Sequence, residues 1–152
     1  MKLTEDAVRE MVRLAREKGV QPNLSGRDLS GLGLYRSDLS GADLSGADLT
    51  QINLAASNLA GADLSDATLT EAALTQARLR GASLDRAKLL GTSLMRADLE
   101  GASLRETNLA GADLSQANLS GADLQHARYD PYTKWPVGLD PEAAGAVLRI
   151  ST

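Results

Sequence analysis

Leucine stands at every fifth position from Leu24 to Leu124, twenty-one times without a gap, and this leaves the chain few ways to fold. On an α-helix five steps overshoot a full turn by about 140°, so the leucines would wind around the rod instead of forming a stripe. On a straight strand an odd period puts alternate leucines on opposite faces. The chain must therefore turn once per repeat.

Two residues before each leucine from Leu39 onward sits a small side chain, mostly alanine, with Ser37, Ile52, Ser57, Thr92 and Thr107 as variants, and the unit reads A-[DNS]-L-[ST]-G. Residues two apart face the same way in an extended segment, so the alanine and the leucine both point inward and the Ser/Thr-Gly pair makes a corner. Gly41, Gly61, Gly81, Gly101 and Gly121 recur at a spacing of 20, whereas Arg36, Ala56, Gln76, Arg96 and Gln116 occupy another corner series with no glycine. That contrast predicts four pentapeptides per coil, on the expectation that stacked corners share one steric environment. About five coils, each rising roughly 4.8 Å, give a rod near 25 Å tall. Phe is absent and aromatic residues make up 3% of the chain, so the interior must be leucine and alanine, with Leu44, Leu64, Leu84, Leu104 and Leu124 as one stacked column.

The run Gly-Ala-Asp-Leu-Ser-Gly-Ala-Asp-Leu-Thr at 41–50 and its continuation resemble the pentapeptide-repeat family, in its cyanobacterial type. The resemblance implies an all-β solenoid: a right-handed, four-sided parallel β-helix with leucine and its small neighbour both inward. Such a rod exposes unpaired backbone at both ends, which must be covered.

Residues 1–21 read as an N-terminal capping helix and linker, 22–128 as the β-helix and 129–152 as a C-terminal cap. Thr4 suits an N-cap, Glu5 and Asp6 the first turn, and Gly19 the stop. Ala7, Val8, Met11, Val12, Leu14 and Ala15 form one helical face, expected to lie across the first coil. The tail holds Tyr129, Tyr132 and Trp135, and Asp140 followed by Pro141 predicts a short final helix.

No catalytic constellation emerges. His126 is the lone histidine and falls at a corner, there is no cysteine, and no phosphate-loop, nucleophile-elbow or zinc spacing occurs. The expected cofactors and metals are none, and the chain reads as a non-enzyme. The start carries no signal-type apolar stretch, so a cytoplasmic protein without membrane contact is expected. A net charge of -4 argues against direct nucleic-acid binding. Charge is uneven all the same: residues 76–105 carry six basic and three acidic side chains, whereas 21–75 carry two and seven. Arg78, Arg80, Arg86, Lys88 and Arg96 are the candidate partner patch, although they make no single stripe. Tyr35, Ala55, Thr75, Met95 and Ser115 share a side, with Leu90 protruding on the preceding one, as a candidate self-association surface. The expected role is a rigid protein-interaction or scaffold module, monomeric or homodimeric, whose partner is another protein. The alternative is a DNA-mimicking protein that binds a type II topoisomerase (gyrase). The absence of Phe at repeat centres, the lack of an inserted loop and the basic band count against that alternative.

Overall fold

The computed structural model describes residues 1–150; the last two residues of the expected 129–152 cap lie outside it. Parallel bridges join residues 20 apart without interruption from Asn23 with Asp43 to Asn108 with Arg128, so four pentapeptides complete one coil. In each pentapeptide the residue before leucine forms the bridge. The leucine N–H then donates to the coil above, as Leu44 does to the Asp63 carbonyl at 2.7 Å. We number the sides by their leucines: the first carries Leu24, the second Leu29, the third Leu34 and the fourth Leu39.

Each corner is closed by an N–H bond from the small residue back to the preceding leucine carbonyl, such as Ala47 to Leu44 at 3.1 Å. The residue before that donor is left-handed at every corner, including eleven non-glycine positions from Arg36 (φ 57) to His126 (φ 62). The coil length agrees with the expectation, but the steric reason does not. A Cβ added at Gly41, Gly61, Gly81 or Gly101 would meet nothing within 4 Å, and glycine-free corners adopt the same backbone. Glycine is favoured there by φ alone.

The aspartates before leucine have a local task. Asp43 Oδ1 accepts both the Ser45 N–H at 3.0 Å and the Ser45 hydroxyl at 2.6 Å, and Asp28, Asp38, Asp48 and Asp63 repeat the arrangement. Where alanine follows leucine, asparagine suffices: Asn53 and Asn58 accept only the N–H of Ala55 and Ala60. At Ser103 the carboxylate is missing, and Asp85 of the coil below takes over, accepting from the Ser103 hydroxyl and from the Arg105 N–H at 3.1 Å.

Twenty of the twenty-one repeat leucines are at most 2% exposed, including the whole Leu44 to Leu124 column; Leu119 alone is only partly buried. The polar variants in the small slot are satisfied internally: the Ser57, Thr92 and Thr107 hydroxyls donate to the carbonyls of Leu34, Leu69 and Leu104.

At the N-terminal end, α1 spans Glu5–Glu17, and the Thr4 hydroxyl accepts the Ala7 N–H as expected of an N-cap. Val8 is buried and Ala7, Met11 and Val12 pack on the core. Leu14 departs from the expected face and is 41% exposed, because at about 100° per residue it stands roughly 200° around the helix from Val12, away from the Val8 and Val12 side that rests on the core. The helix and its flanks also satisfy the first coil's open backbone. Leu3 N–H donates to the Asp28 carbonyl, Glu5 accepts the Gly33 N–H at 3.0 Å, Arg16 donates to the Ser40 carbonyl at 2.9 Å and Gln21 to that of Gly41 at 2.9 Å.

The C-terminal end differs from expectation. Tyr129 fills the next leucine slot and meets Trp135 edge to face at 5.5 Å. Asp130 accepts the Gly111 N–H and those of Tyr132 and Thr133, absorbing one extra residue so that Asp113 bridges Lys134. The short final helix is replaced by a single turn after Asp140 and a strand. Ala144 N–H reaches the Asp140 carbonyl, Ala146 that of Pro141, and Gly145 turns left-handed at φ 96. One turn is too short to hold as a helix alone. The chain spends its next residues as β2 (Val147–Leu148), parallel to β1 (Arg128–Tyr129).

Candidate functional site

Because each inward leucine is flanked by two outward residues, every side presents two columns of side chains repeating at the rung spacing of about 4.8 Å. On the first, second and fourth sides these columns are charged. On the third side the first four coils present Gly33 and Tyr35, Asn53 and Ala55, Ala73 and Thr75, and Ser93 and Met95, none of them charged. In a chain 24% charged, this is the one side that can be desolvated over four coils without stripping water from an ion.

Small residues make the middle of this side flat, and Thr75 and Ser93 bond to each other at 3.0 Å. Larger groups stand at its two ends, Tyr35 60% exposed and Met95 37% exposed. Tyr35 and Arg36 border two open grooves. One, of about 510 Å³, runs beside Asn53, Ala56 and Gln76. The other, also about 510 Å³, lies between the first coil and α1 at Val12 and Arg16. Arg36 and Arg96 punctuate one corner of the third side three coils apart, and Arg96 is held by the Gln116 amide oxygen at 2.6 Å.

The five residues of the basic band are not brought together. Arg78 and Arg80 lie on the fourth side, Arg86 at the corner between first and second sides, Lys88 on the second side, and Arg96 at the corner after the third. Two of the five, Arg80 and Arg86, are paired with carboxylates of adjacent coils. Arg80 lies 3.1 Å from Glu100 and 3.7 Å from Asp98, Arg86 forks onto Asp66 at 2.9 and 3.1 Å, and nearby Arg105 pairs with Asp123 at 2.9 Å. The bonds to Arg86 hold the Asp66 carboxyl below its ordinary range. That of Asp123 is lowered by the Gln125 N–H first and Arg105 second. The Ser30 and Ser40 hydroxyls, followed by the N–H groups of the same residues, lower Asp28 and Asp38. These carboxylates are structural acceptors already engaged. Among the described residues no cluster of three His, Asp or Glu could hold a metal ion. No helix there is long and apolar enough to cross a membrane.

The uncharged side was partly visible in the sequence as the series Tyr35 to Ser115. The second column, Gly33 to Ser93, follows from the same 20-residue pitch, and its lack of charge is the signal that could have found it.

A family profile described as Pentapeptide repeats matches eight copies over residues 23–55, 37–76, 47–86, 62–101 and 92–128. Among solved structures, the chain is similar to a pentapeptide repeat protein, Rfr23, from the cyanobacterium Cyanothece 51142, at 29% identity and TM-score 0.76, covering 84% of this chain and 97% of that one. It is also similar to alr5209, a pentapeptide repeat protein from Nostoc, at 32% identity over 96% of each chain with TM-score 0.41. A plasmid-mediated fluoroquinolone resistance protein, QnrB1, matches at 20% identity and TM-score 0.44, over 85% of this chain and 78% of that one. No curated protein sequence matches.

Proposed function

Because the chain belongs to the pentapeptide-repeat family, we propose that it is a non-enzymatic, rigid protein-interaction module, a right-handed four-sided β-helix of residues 22–128 closed by caps at 1–21 and 129–152. It works in the cytoplasm, and its third side is the face a partner protein covers. The observation that carries this reading is the uncharged double column from Gly33 to Met95, flanked by Arg36 and Arg96. Patches free of charged side chains, with arginine at the rim and an exposed tyrosine, match the composition that protein interfaces favour. The interior offers no room for a substrate, since leucine fills it from end to end.

The basic band of Arg78, Arg80, Arg86, Lys88 and Arg96 is the rival surface. It is the weaker one because its residues point in several directions and most already have partners within the rod; exposed pairs of this kind contribute roughly 0–1 kcal/mol. DNA mimicry is weaker again, since it needs continuous negative charge, and here the acidic columns are broken by those arginines.

The test compares two double variants on an affinity column loaded with host extract, with the retained protein purified and its binding remeasured. Ala55→Lys/Ala73→Lys puts two charges in the middle of the third side, where both side chains point outward, and is expected to weaken binding at least about tenfold, or roughly 1.4 kcal/mol. Arg78→Glu/Arg80→Glu is expected to leave binding unchanged. The reverse pattern transfers the role to the basic band.

A further inference from the structure

The two ends of the rod are not closed alike. At the N-terminal end a strand residue, a carboxylate, a guanidinium and an amide satisfy the first coil. At the C-terminal end one rung has no such cover. On the fourth side each coil donates two amides upward: Leu79 and Gly81 to the Asp98 and Glu100 carbonyls, then Leu99 and Gly101 to those of Asn118 and Ser120, all between 2.7 and 3.0 Å. The Ala77 and Ala97 carbonyls accept in return from the Asp98 and Asn118 amides. In the last coil the same groups, the Leu119 and Gly121 N–H and the Ala117 carbonyl, have no backbone partner among the described residues.

The side chain tells the same story. Leu119 is the one repeat leucine that the fold leaves partly open. Over it lies a cleft of about 370 Å³, bounded by Leu119 and Ser120 below and by Pro136, Val137 and Leu139 above. The Pro136 to Leu139 turn is closed on itself by a 3.2 Å bond and makes no rung, and Val137 stands fully exposed.

We propose that the rung Ala117–Gly121 is a strand-addition site that takes an extended segment of a partner protein, with a leucine-sized aliphatic side chain stacked on Leu119. The preceding rungs specify the occupant: two carbonyls spaced two residues apart for the Leu119 and Gly121 amides, one N–H for the Ala117 carbonyl, and a small residue two before the leucine. Unpaired strand edges are completed by added strands in this way, with main-chain bonds supplying affinity and the inward side chain specificity. This site deepens the interaction-module reading and rests on it, yet it lies apart from the third side.

The probe is a labelled peptide copying residues 96–103, the chain's own preceding fourth-side rung; its control carries an N-methyl group on the residue before leucine, whose N–H is the one owed to the Ala117 carbonyl, and a leucine-to-aspartate change. Amide hydrogen exchange is followed by NMR on the full chain. In the free protein, Leu119 and Gly121 should exchange at least about a hundredfold faster than Leu99 and Gly101, and saturating peptide should slow both at least about tenfold. The control peptide should not. Equal protection in the dilute free chain, protection at other amides, or equal binding of the control overturns the proposal. Protection that rises with protein concentration without peptide also overturns it, by assigning the rung to a second copy. The Ala55→Lys/Ala73→Lys variant should keep the peptide site, so failure here is separable from failure of the third-side reading.

Discussion

A single aspartate shows how the repeat works at the scale of a residue. Asp43 does not mark a site; its Oδ1 ties the Ser45 N–H and hydroxyl across the corner. Asp43→Ala is therefore expected to cost about 1 kcal/mol, the net worth of such bonds, while Asp43→Asn, which keeps the acceptor for the N–H, should cost less; urea midpoints with an unchanged m-value check both. The corner residues supply a second contrast. Ala56 holds φ 56, where an L-residue is strained, so Ala56→Gly should stabilise by about 0.5 kcal/mol. Gly61→Ala should destabilise by about 1 kcal/mol although a Cβ there meets nothing within 4 Å. Calorimetry of the two variants separates backbone strain from crowding. The position of these residues was legible in the repeat; their task was not, because the acceptor geometry appears only when the corner is closed.

At the scale of the element, the caps differ in how well they could be read. The N-terminal helix announces itself through Thr4, its acidic first turn and its apolar periodicity, and it forms as Glu5–Glu17. That Glu5 and Arg16 also bond the first coil could not be read, since those contacts span 28 and 24 residues. The tail misled because Asp140-Pro141 is a genuine helix start, but Gly145 ends it after one turn and pairing with β1 claims Val147 and Leu148. The N-terminal cap also gives the molecule a sensitivity to acid. The Gly33 N–H, the largest influence, lowers the Glu5 carboxyl from 4.5, and the Ser30 and Ser40 hydroxyls lower Asp28 and Asp38 from 3.8. A lowered folded value means stabilisation that is complete above the ordinary value and lost as pH falls through the lower one. The thermal midpoint should thus be flat from about pH 7 to 5 and decline below about pH 4.5, and Glu5→Gln should flatten the upper part of that decline.

For the molecule as a whole, the interior and the exterior obey different periods. The core requires only leucine at every fifth position, while the columns on each side depend on a pitch of 20 residues. The family was recoverable from the chain because the core's rule is written in it without gaps, and the coil length because corner glycines recur every 20 residues from Gly41 to Gly121. The third side was less legible, since an uncharged surface emerges from eight residues scattered over sixty positions, each unremarkable alone.

The pitch has a consequence for how such a gene can change length. Losing residues 61–80 removes one storey and leaves every outward column aligned above and below. Losing residues 71–75 leaves an equally good leucine interior, yet swings everything beyond it by a quarter turn, so that Met95 no longer stands above Tyr35 and Arg86 no longer above Asp66. Deletions that the fold cannot distinguish would thus be sorted by what the protein touches: heritable length variation should be tolerated in whole storeys wherever the outer columns matter, and in single fives only where they do not.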